Sequence, residues 1–127
     1  MPDHQLALTH IVHACFNGYV DKDRSTVEAL IAEEFSFSSP LDNRIDRESY
    51  FERCWPISAN MSAVDLKHVV VIDEQVFVTY ECRLNDDSQF RNTELWTITG
   101  GKVTEIEVYF GWKLPHAAEL GKSLASV

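Results

Sequence analysis

The stretch that decides the fold lies in the C-terminal half, where residues 91–112 have the sequence RNTELWTITGGKVTEIEVYFGW. Two runs rich in β-branched and aromatic residues flank the pair Gly100-Gly101. A glycine pair between such runs is typical of a tight hairpin turn. The pattern predicts two long antiparallel strands over 89–99 and 102–112.

Two further strands precede this hairpin. Residues 64–72 and 75–84 are also rich in β-branched and aromatic side chains, and only positions 73–74 separate them. The polar turn 85–88 connects the second of them to the hairpin. Connections this short join antiparallel neighbours, so the pattern predicts a four-stranded meander. Strands of this length twist and coil, which predicts a strongly curved antiparallel sheet.

The first 60 residues have a different periodicity. Apolar residues at helical spacing within 5–20 predict a first helix, and Ser25 with Glu28 has the spacing of a capping box for a second. Residues 35–38 alternate with a period of two and predict a short strand. Asp46 is a suitable N-cap for a third, short helix.

The order of these elements predicts the α+β class, with three N-terminal helices packed on one face of the curved sheet. The 127 residues fit a single domain over 1–127, with a core over 5–112 and a C-terminal tail over 113–127. The segment 41–44 is expected to be a turn, and a short helix is expected after Pro115. A curved sheet covered by helices on one face forms a cup.

Composition excludes several classes of function. The net charge of −9, with eleven basic residues scattered among twenty acidic ones, argues against nucleic-acid partners and anionic membrane surfaces. The three cysteines are far apart and form no C-x-x-C pair, which argues against a disulfide framework. The N-terminal residues lack the pattern of a secretory signal, and no stretch approaches about 18 consecutive apolar residues. The sequence predicts a cytoplasmic protein.

No cofactor or metal is expected. The sequence contains no glycine-rich phosphate loop and no dinucleotide-binding fingerprint. His10 and His13 share a helix face, but no carboxylate lies near them in the sequence, and a solvated helix face explains them better than a metal site.

The order of elements resembles the SnoaL-like branch of the nuclear-transport-factor-2-like superfamily. Three stretches carry the resemblance: FNGYVDKDRSTVEALIAEEFSFSSPLD at 16–42, IDRESYFERCW at 45–55, and the hairpin at 91–112. It implies a cone-shaped, cystatin-like cup. Members of this superfamily include isomerases, hydrolases, dehydratases, cyclases, non-catalytic binders and interaction modules, so the fold does not select an activity.

Comparison with the ketosteroid isomerase type gives a first site candidate. That type uses a tyrosine on the first helix, an aspartate base before the first-strand proline and a protonated acid on the penultimate strand. The resemblance places Cys15, Ser39 and Glu94 at these positions. Two of the three lack the required chemistry, which argues against a steroid isomerase, while Glu94 keeps a carboxyl group.

Hairpin geometry predicts which side chains share the cup with Glu94. A turn centred on residues 86–87 places Thr79 opposite Glu94, and residues directly opposite each other point to the same face. A shift of one residue would reverse every member of the inward set. That set is Leu66, His68, Phe77, Thr79, Glu81, Arg83, Asn92, Glu94 and Trp96. The resemblance adds four inward positions on the last strand: Ile106, Val108, Phe110 and Trp112.

The same alternation predicts an apolar outer face. Val76, Val78, Tyr80 and Leu95 would then point away from the helices. Apolar surface of this extent on an outer face is usually covered by a partner. The sequence therefore predicts a homodimer through the outer sheet face.

The candidate site residues follow from these assignments. Glu94 and His68 are the predicted catalytic pair, because a carboxyl and an imidazole in an apolar cup are suited to acid/base chemistry. The predicted substrate-binding residues are Asn92, Thr79, Glu81, Tyr19, Trp96, Phe110 and Trp112. Structural roles remain open: a satisfied core histidine for His68, an ion pair with Arg83 or Arg91 or a hydrogen bond to the first helix for Glu94, and a rim position for Glu81.

Three functional hypotheses follow. The first is a cofactor-free isomerase, dehydratase or hydrolase acting on a small apolar molecule with one or two oxygens. The second is a non-catalytic protein that binds such a molecule. The third is a dimeric interaction module whose cup is filled by its own core.

Overall fold

The structure is a computed structural model that describes residues 2–124. Its helices are α1 (Pro2–Val20), α2 (Arg24–Leu30) and α3 (Arg47–Cys54), and a 3₁₀ helix follows at Trp55–Asn60. Its strands are β1 (Ile31–Ser39), β2 (Asp42–Asp46), β3 (Met61–Ile72), β4 (Gln75–Leu84), β5 (Gln89–Thr99) and β6 (Lys102–Leu114).

The six strands form one open, curved sheet in the order β2-β1-β6-β5-β4-β3. Neighbouring strands are antiparallel except β1 and β6, which are parallel. The three helices and the 3₁₀ helix cover the concave face. The predicted α+β cup is therefore confirmed, with one parallel strand pair that the meander pattern did not predict.

Several boundaries differ from the sequence-based expectation. The segment 41–44 was expected to be a turn, but most of it belongs to β2, which pairs with β1. Asp23, rather than Ser25, caps α2, because its carboxylate accepts hydrogen bonds from Thr26 N at 3.3 Å and Thr26 Oγ1 at 2.6 Å. Residues 115–123 form bends and turns in place of the predicted helix.

The core lies between the helices and the concave face of the sheet. The apolar stripe predicted for α1 lies in this core: Leu8, Val12, Cys15 and Phe16 are buried, and Ile11 and Tyr19 are partly buried. It packs towards valines and isoleucines that are at most 3% exposed, namely Val27, Ile31, Val76, Val78, Ile98, Val103 and Ile106. In residues 2–124, no helix is long and apolar enough to span a bilayer.

The β4–β5 hairpin differs by one residue from the predicted register. Glu94 lies opposite Val78 and Asn92 lies opposite Tyr80. The loop 84–88 has an odd number of residues and accommodates Asp87 at a φ of 69°. The centre of this loop is therefore residue 86 instead of the bond between residues 86 and 87. As a result, every side chain of β4 points to the face opposite to the one predicted.

This shift corrects two predictions. The predicted inward orientation of Phe77, Thr79, Glu81 and Arg83 is wrong, since they lie on the convex outer face. The predicted outward orientation of Val76, Val78 and Tyr80 is also wrong, since all three side chains are buried in the core.

A bulge in β3 determines the position of His68. Leu66 pairs with Tyr80, and His68 pairs with Thr79, so Lys67 is an extra residue on its strand. A bulge reverses the face of the residues that follow it. Leu66 therefore points inward as predicted, whereas His68 lies on the outer face and is exposed, and its predicted place in the cup is wrong.

A second bulge, in β6, determines the position of Trp112. Asn92 pairs with Phe110 and Arg91 pairs with Trp112, which leaves Gly111 as the extra residue. A Cβ on Gly111 would lie 2.0 Å from the carbonyl oxygen of Arg91. Only glycine allows this close backbone approach. Trp112 therefore points to the same outer face as its partner Arg91. It is half exposed, contrary to its predicted inward position.

Candidate functional site

The cup contains two adjoining cavities. The inner cavity, beneath α1, has a volume of about 100 Å³. The second, which we call the vestibule, has a volume of about 310 Å³ and is more open to solvent. The residues that line both are Tyr50, Ile57, Tyr80, Phe90 and Glu94. The carboxyl group of Glu94 therefore lies at the junction of the two spaces.

Aromatic packing forms one wall of the inner cavity. The ring of Phe16 on α1 stacks on Trp96, with centroids 5.5 Å apart and an interplanar angle of 22°. The same ring contacts Tyr80 at 4.8 Å with a tilt of 55°. These contacts fix Trp96 and Tyr80, the two side chains that bind Glu94.

Glu94 accepts two hydrogen bonds inside the cup. The hydroxyl of Tyr80 donates to Oε2 at 2.6 Å, and the indole Nε1 of Trp96 donates to Oε1 at 2.8 Å. Asn92 Nδ2 in turn donates to the Tyr80 hydroxyl at 3.4 Å. The result is a directed chain from Asn92 through Tyr80 to a carboxyl group that is only 8% exposed.

Burial raises the pKa of Glu94. Desolvation of the carboxylate is the largest cause, and the hydrogen bonds from Tyr80 and Trp96 lower the pKa by a smaller amount. The arginines considered as ion-pair partners lie elsewhere: Arg91 is 3.5 Å from Glu81, and Arg83 is 3.7 Å from Asp87. Within residues 2–124 no ion pair compensates the charge of Glu94.

Two tyrosine hydroxyls form a second polar group in the inner cavity. The hydroxyl of Tyr19 on α1 makes a short hydrogen bond with that of Tyr50 on α3. Burial raises the pKa of both phenols, with Glu94 among the smaller causes. Both remain neutral at physiological pH. One hydroxyl donates its proton to the other, so the accepting hydroxyl keeps a proton that it can donate to a ligand oxygen.

The thiols near the cavities are poor nucleophiles. Burial, followed by the charge of Glu94, raises the pKa of Cys15 to about 12. Burial also raises the pKa of Cys82 to about 11, and burial followed by the charge of Asp42 raises the pKa of Cys54 to about 11. Since the thiolate is the reactive form, these side chains act as small apolar groups at neutral pH.

The vestibule carries an ion pair at its wall. Arg53 on α3 donates through Nε to Oδ1 of Asp42 at 2.7 Å. The hydroxyl of Ser39 donates to the other oxygen of Asp42 at 2.9 Å. Both oxygens of a nearly buried carboxylate are thereby occupied, and the guanidinium is held at the wall of the vestibule.

The structure brings together five of the nine predicted site residues. Tyr19, Glu94 and Trp96 line the inner cavity, while Asn92, Phe110 and again Glu94 line the vestibule. The other four lie outside both cavities: His68, Thr79, Glu81 and Trp112. Thr79 bonds Thr93 on the outer face at 2.8 Å, and Glu81 lies between Lys67 and Arg91.

Sequence reasoning missed Tyr80 and Arg53 as site residues, and it placed Tyr50 in the core or the pocket wall without a binding role. Tyr80 was detectable, because every even-numbered position of β4 from 76 to 82 is apolar, whereas Phe77 is the one apolar residue at its odd-numbered positions. A continuous apolar stripe of this kind faces the core. Arg53 carried no comparable signal, since one charged residue in a short helix normally faces solvent. In residues 2–124, no group of three or more histidine, cysteine or acidic side chains is arranged to hold a metal ion.

No protein-family model and no curated protein matches the sequence. The fold, in contrast, is similar to many solved structures. A protein of unknown function from Cytophaga hutchinsonii, described as NTF2-like, has a TM-score of 0.71 at 16% identity, covering 82% of this chain and 89% of its own. An epoxide hydrolase of M. tuberculosis, described as LEH-like, has a TM-score of 0.71 at 16% identity, covering 84% and 79%.

A third similar structure is a Kribbella flavida protein proposed to be a ketosteroid isomerase. Its TM-score is 0.70 at 14% identity, and the alignment covers 95% of this chain and 87% of that one. Identities this low establish architecture and leave activity open. The chain has the nuclear-transport-factor-2-like fold that its sequence predicted.

Proposed function

We propose that the cup binds a small, mostly apolar molecule with one or two oxygens and transfers a proton at Glu94. The reaction class is isomerisation, dehydration or hydrolysis without a cofactor. Glu94 is the acid/base group, and the hydroxyl pair of Tyr19 and Tyr50 supplies one donor for a substrate oxygen. His68, assigned to this role from the sequence, has no part in the proposal because it lies on the outer face.

The observation that carries the proposal is the environment of Glu94. A buried carboxyl without a cation costs stability, and such groups are kept preferentially at functional sites. A raised pKa brings a carboxyl closer to neutral pH, where proton transfer in both directions is efficient. The epoxide hydrolase and the protein proposed to be a ketosteroid isomerase support this reading only at the level of a shared fold.

The second candidate is a binding protein without turnover. The same pocket supports it, because the inner cavity is bounded by apolar and aromatic groups with few polar ones, as ligand sites are. The two candidates differ in one expectation. A binder loses affinity when Glu94 is changed, whereas an enzyme loses rate.

The stability of the Glu94→Gln variant tests the environment of this residue. Because the folded chain has the higher pKa for Glu94, the stability that this group contributes is complete below the pKa of the unfolded chain. It is lost as the pH rises through the folded pKa. We expect Glu94→Gln to exceed wild type in free energy of unfolding by about 1 kcal/mol or more at neutral pH. Urea unfolding between pH 5 and 8 measures the difference.

The matched control is Glu52→Gln, which removes an exposed carboxyl from α3. Its difference from wild type should stay small over the same pH range. A Glu94→Gln variant that is less stable than wild type, most strongly at neutral pH, would make Glu94 a structural partner of Tyr80 and Trp96 and remove the basis of the enzyme proposal.

The proposal includes a second copy of the chain on the outer sheet face, with residues that differ from those predicted. Exposed apolar side chains on this face are Val70, Ile72, Phe77, Tyr109 and Trp112. Val70 pairs directly with Phe77, so the two form a contiguous apolar surface of the kind that partners cover.

Phe77→Glu should convert a dimer to a monomer, because it places a charge in the centre of this surface. Sedimentation velocity measures the mass. Leu6→Glu, which changes an exposed apolar residue on α1, is the control and should leave the mass unchanged. A monomeric wild-type protein, or a Phe77→Glu variant that remains dimeric, contradicts this assignment.

A further inference from the structure

The size of the inner cavity limits what it can hold alone. Its volume of about 100 Å³ is smaller than the roughly 150 Å³ of an apolar cavity that accommodates benzene. A small branched alkyl group fits this space, but a larger molecule must extend past Glu94 into the vestibule. The chemistry of the vestibule wall therefore selects the other end of the ligand.

The wall of the vestibule carries a cation that is only partly paired, the guanidinium group of Arg53. Arg53 uses Nε for Asp42, and its two terminal nitrogens have no hydrogen-bond partner among residues 2–124. Its side chain is 56% exposed, whereas that of Asp42 is only 9% exposed. Each Asp42 oxygen already accepts one hydrogen bond, and the unused donors of this ion pair are the terminal N–H groups of Arg53.

A guanidinium held in this way is suited to one type of ligand group. Its terminal N–H groups form a planar fork that matches the two oxygens of a carboxylate. Asp42 fixes the plane of the fork through Nε, so less conformational freedom is lost when a ligand binds.

We propose that the vestibule is a carboxylate subsite formed by Arg53, so that the ligand is a small organic acid with a compact apolar end. The apolar end occupies the inner cavity, the middle of the molecule passes Glu94, and the carboxylate binds the terminal nitrogens of Arg53. This assignment rests on the proposed function and narrows its ligand class.

A structural role is the competing explanation, because the pair of Arg53 with Asp42 also ties α3 to β2. A structural role affects stability but does not distinguish a carboxylate from the equivalent amide. The informative measurement is therefore a ratio of affinities for two probes of the same shape.

The probes are 3-methylbutanoate, 4-methylpentanoate and 5-methylhexanoate, each compared with its carboxamide at pH 7. Binding is followed by NMR through the indole N–H of Trp96, which bonds Glu94 at the junction. We expect the best-fitting acid to bind wild type at least about tenfold more tightly than its amide, because a hydrogen bond between charged groups is stronger than a neutral one.

Arg53→Gln should abolish this preference, bringing the two affinities to within about twofold of each other. Arg83→Gln removes a cation of similar exposure from the outer face and should preserve the preference, which excludes a general effect of protein charge. Equal binding of acids and amides to wild type overturns the proposal without any variant. A preference that survives Arg53→Gln also overturns it, as does the absence of binding by every acid.

These failures differ from failure of the proposed function. The pH dependence of the Glu94→Gln variant needs no ligand and reports only the environment of that carboxyl. If wild type binds acids and amides equally and the Glu94→Gln variant is more stable than wild type, the carboxylate subsite is rejected. The proposed function of the pocket then stands. A destabilised variant would reject the acid/base role whichever probes bind.

Discussion

Glu94→Gln is expected to reduce turnover by roughly 10²–10⁴-fold for any compound that the wild-type protein converts, because that is the usual contribution of a general acid or base. The amide keeps the shape of the side chain and can still accept the hydrogen bond from Trp96 Nε1. It cannot exchange a proton near neutral pH. Turnover is measured on small compounds with one apolar end and a carbonyl, hydroxyl or epoxide oxygen.

Glu52→Gln is again the control for this prediction and should keep the wild-type rate. Conversion at the wild-type rate by the Glu94→Gln variant would exclude Glu94 as the proton-transfer group. Compounds that bind both proteins and are converted by neither, with an affinity that changes on substitution, would favour the binding protein over the enzyme.

Gly111→Ala is expected to destabilise the fold by about 3 kcal/mol, at the upper end of the cost of overpacking. The new methyl group would lie 2.0 Å from the carbonyl oxygen of Arg91. That atom is backbone, so relief requires β5 and β6 to separate. The shift would also strain the hydrogen bond from Gly111 N to Asn92 Oδ1, which is 3.1 Å long. Urea unfolding measures the loss of stability.

Gly100→Ala provides the comparison for this substitution. Gly100 has a φ of +61° but nothing within 4 Å of an added Cβ. Its replacement should cost only about 1 kcal/mol, the typical cost of placing alanine in the left-handed region. If Gly111→Ala lowers the free energy of unfolding no more than Gly100→Ala does, the backbone at the bulge can adjust to a side chain. The outward position of Trp112 is then not determined by the bulge.

The parts of the fold that depend on local sequence were predictable. The Gly100-Gly101 hairpin, the cap of α3 by Asp46 and the apolar stripe of α1 are each determined by a few neighbouring residues. The inward positions of Asn92, Glu94 and Trp96 were also correct. They rest on one strand whose face was assigned from the resemblance, without reference to the adjoining loop.

The assignments that failed depend on counting residues across a loop or a bulge. One additional residue in the loop 84–88 reversed β4, although the alternation of Val76, Val78 and Tyr80 indicated the correct face. The bulge at Lys67 that moves His68 outward has no local signature in the sequence. The register of β3 against β4 differs by one residue on the two sides of this bulge, and only the assembled sheet reveals that difference.

The hydroxyl pair of Tyr19 and Tyr50 uses one proton for the bond between its two oxygens and keeps one further O–H, while both oxygens of Glu94 already accept a hydrogen bond. Among residues 2–124, the buried side-chain nitrogen or oxygen that lacks a hydrogen-bond partner is Arg91 Nε, which belongs to neither cavity. A guest's oxygen can therefore accept one hydrogen bond from the tyrosine pair, but it gives up a bond to water in exchange, so the net gain is only about 1 kcal/mol. Affinity in the inner cavity then follows the fit of the hydrocarbon, and an oxygen bound there determines mainly the orientation of the guest.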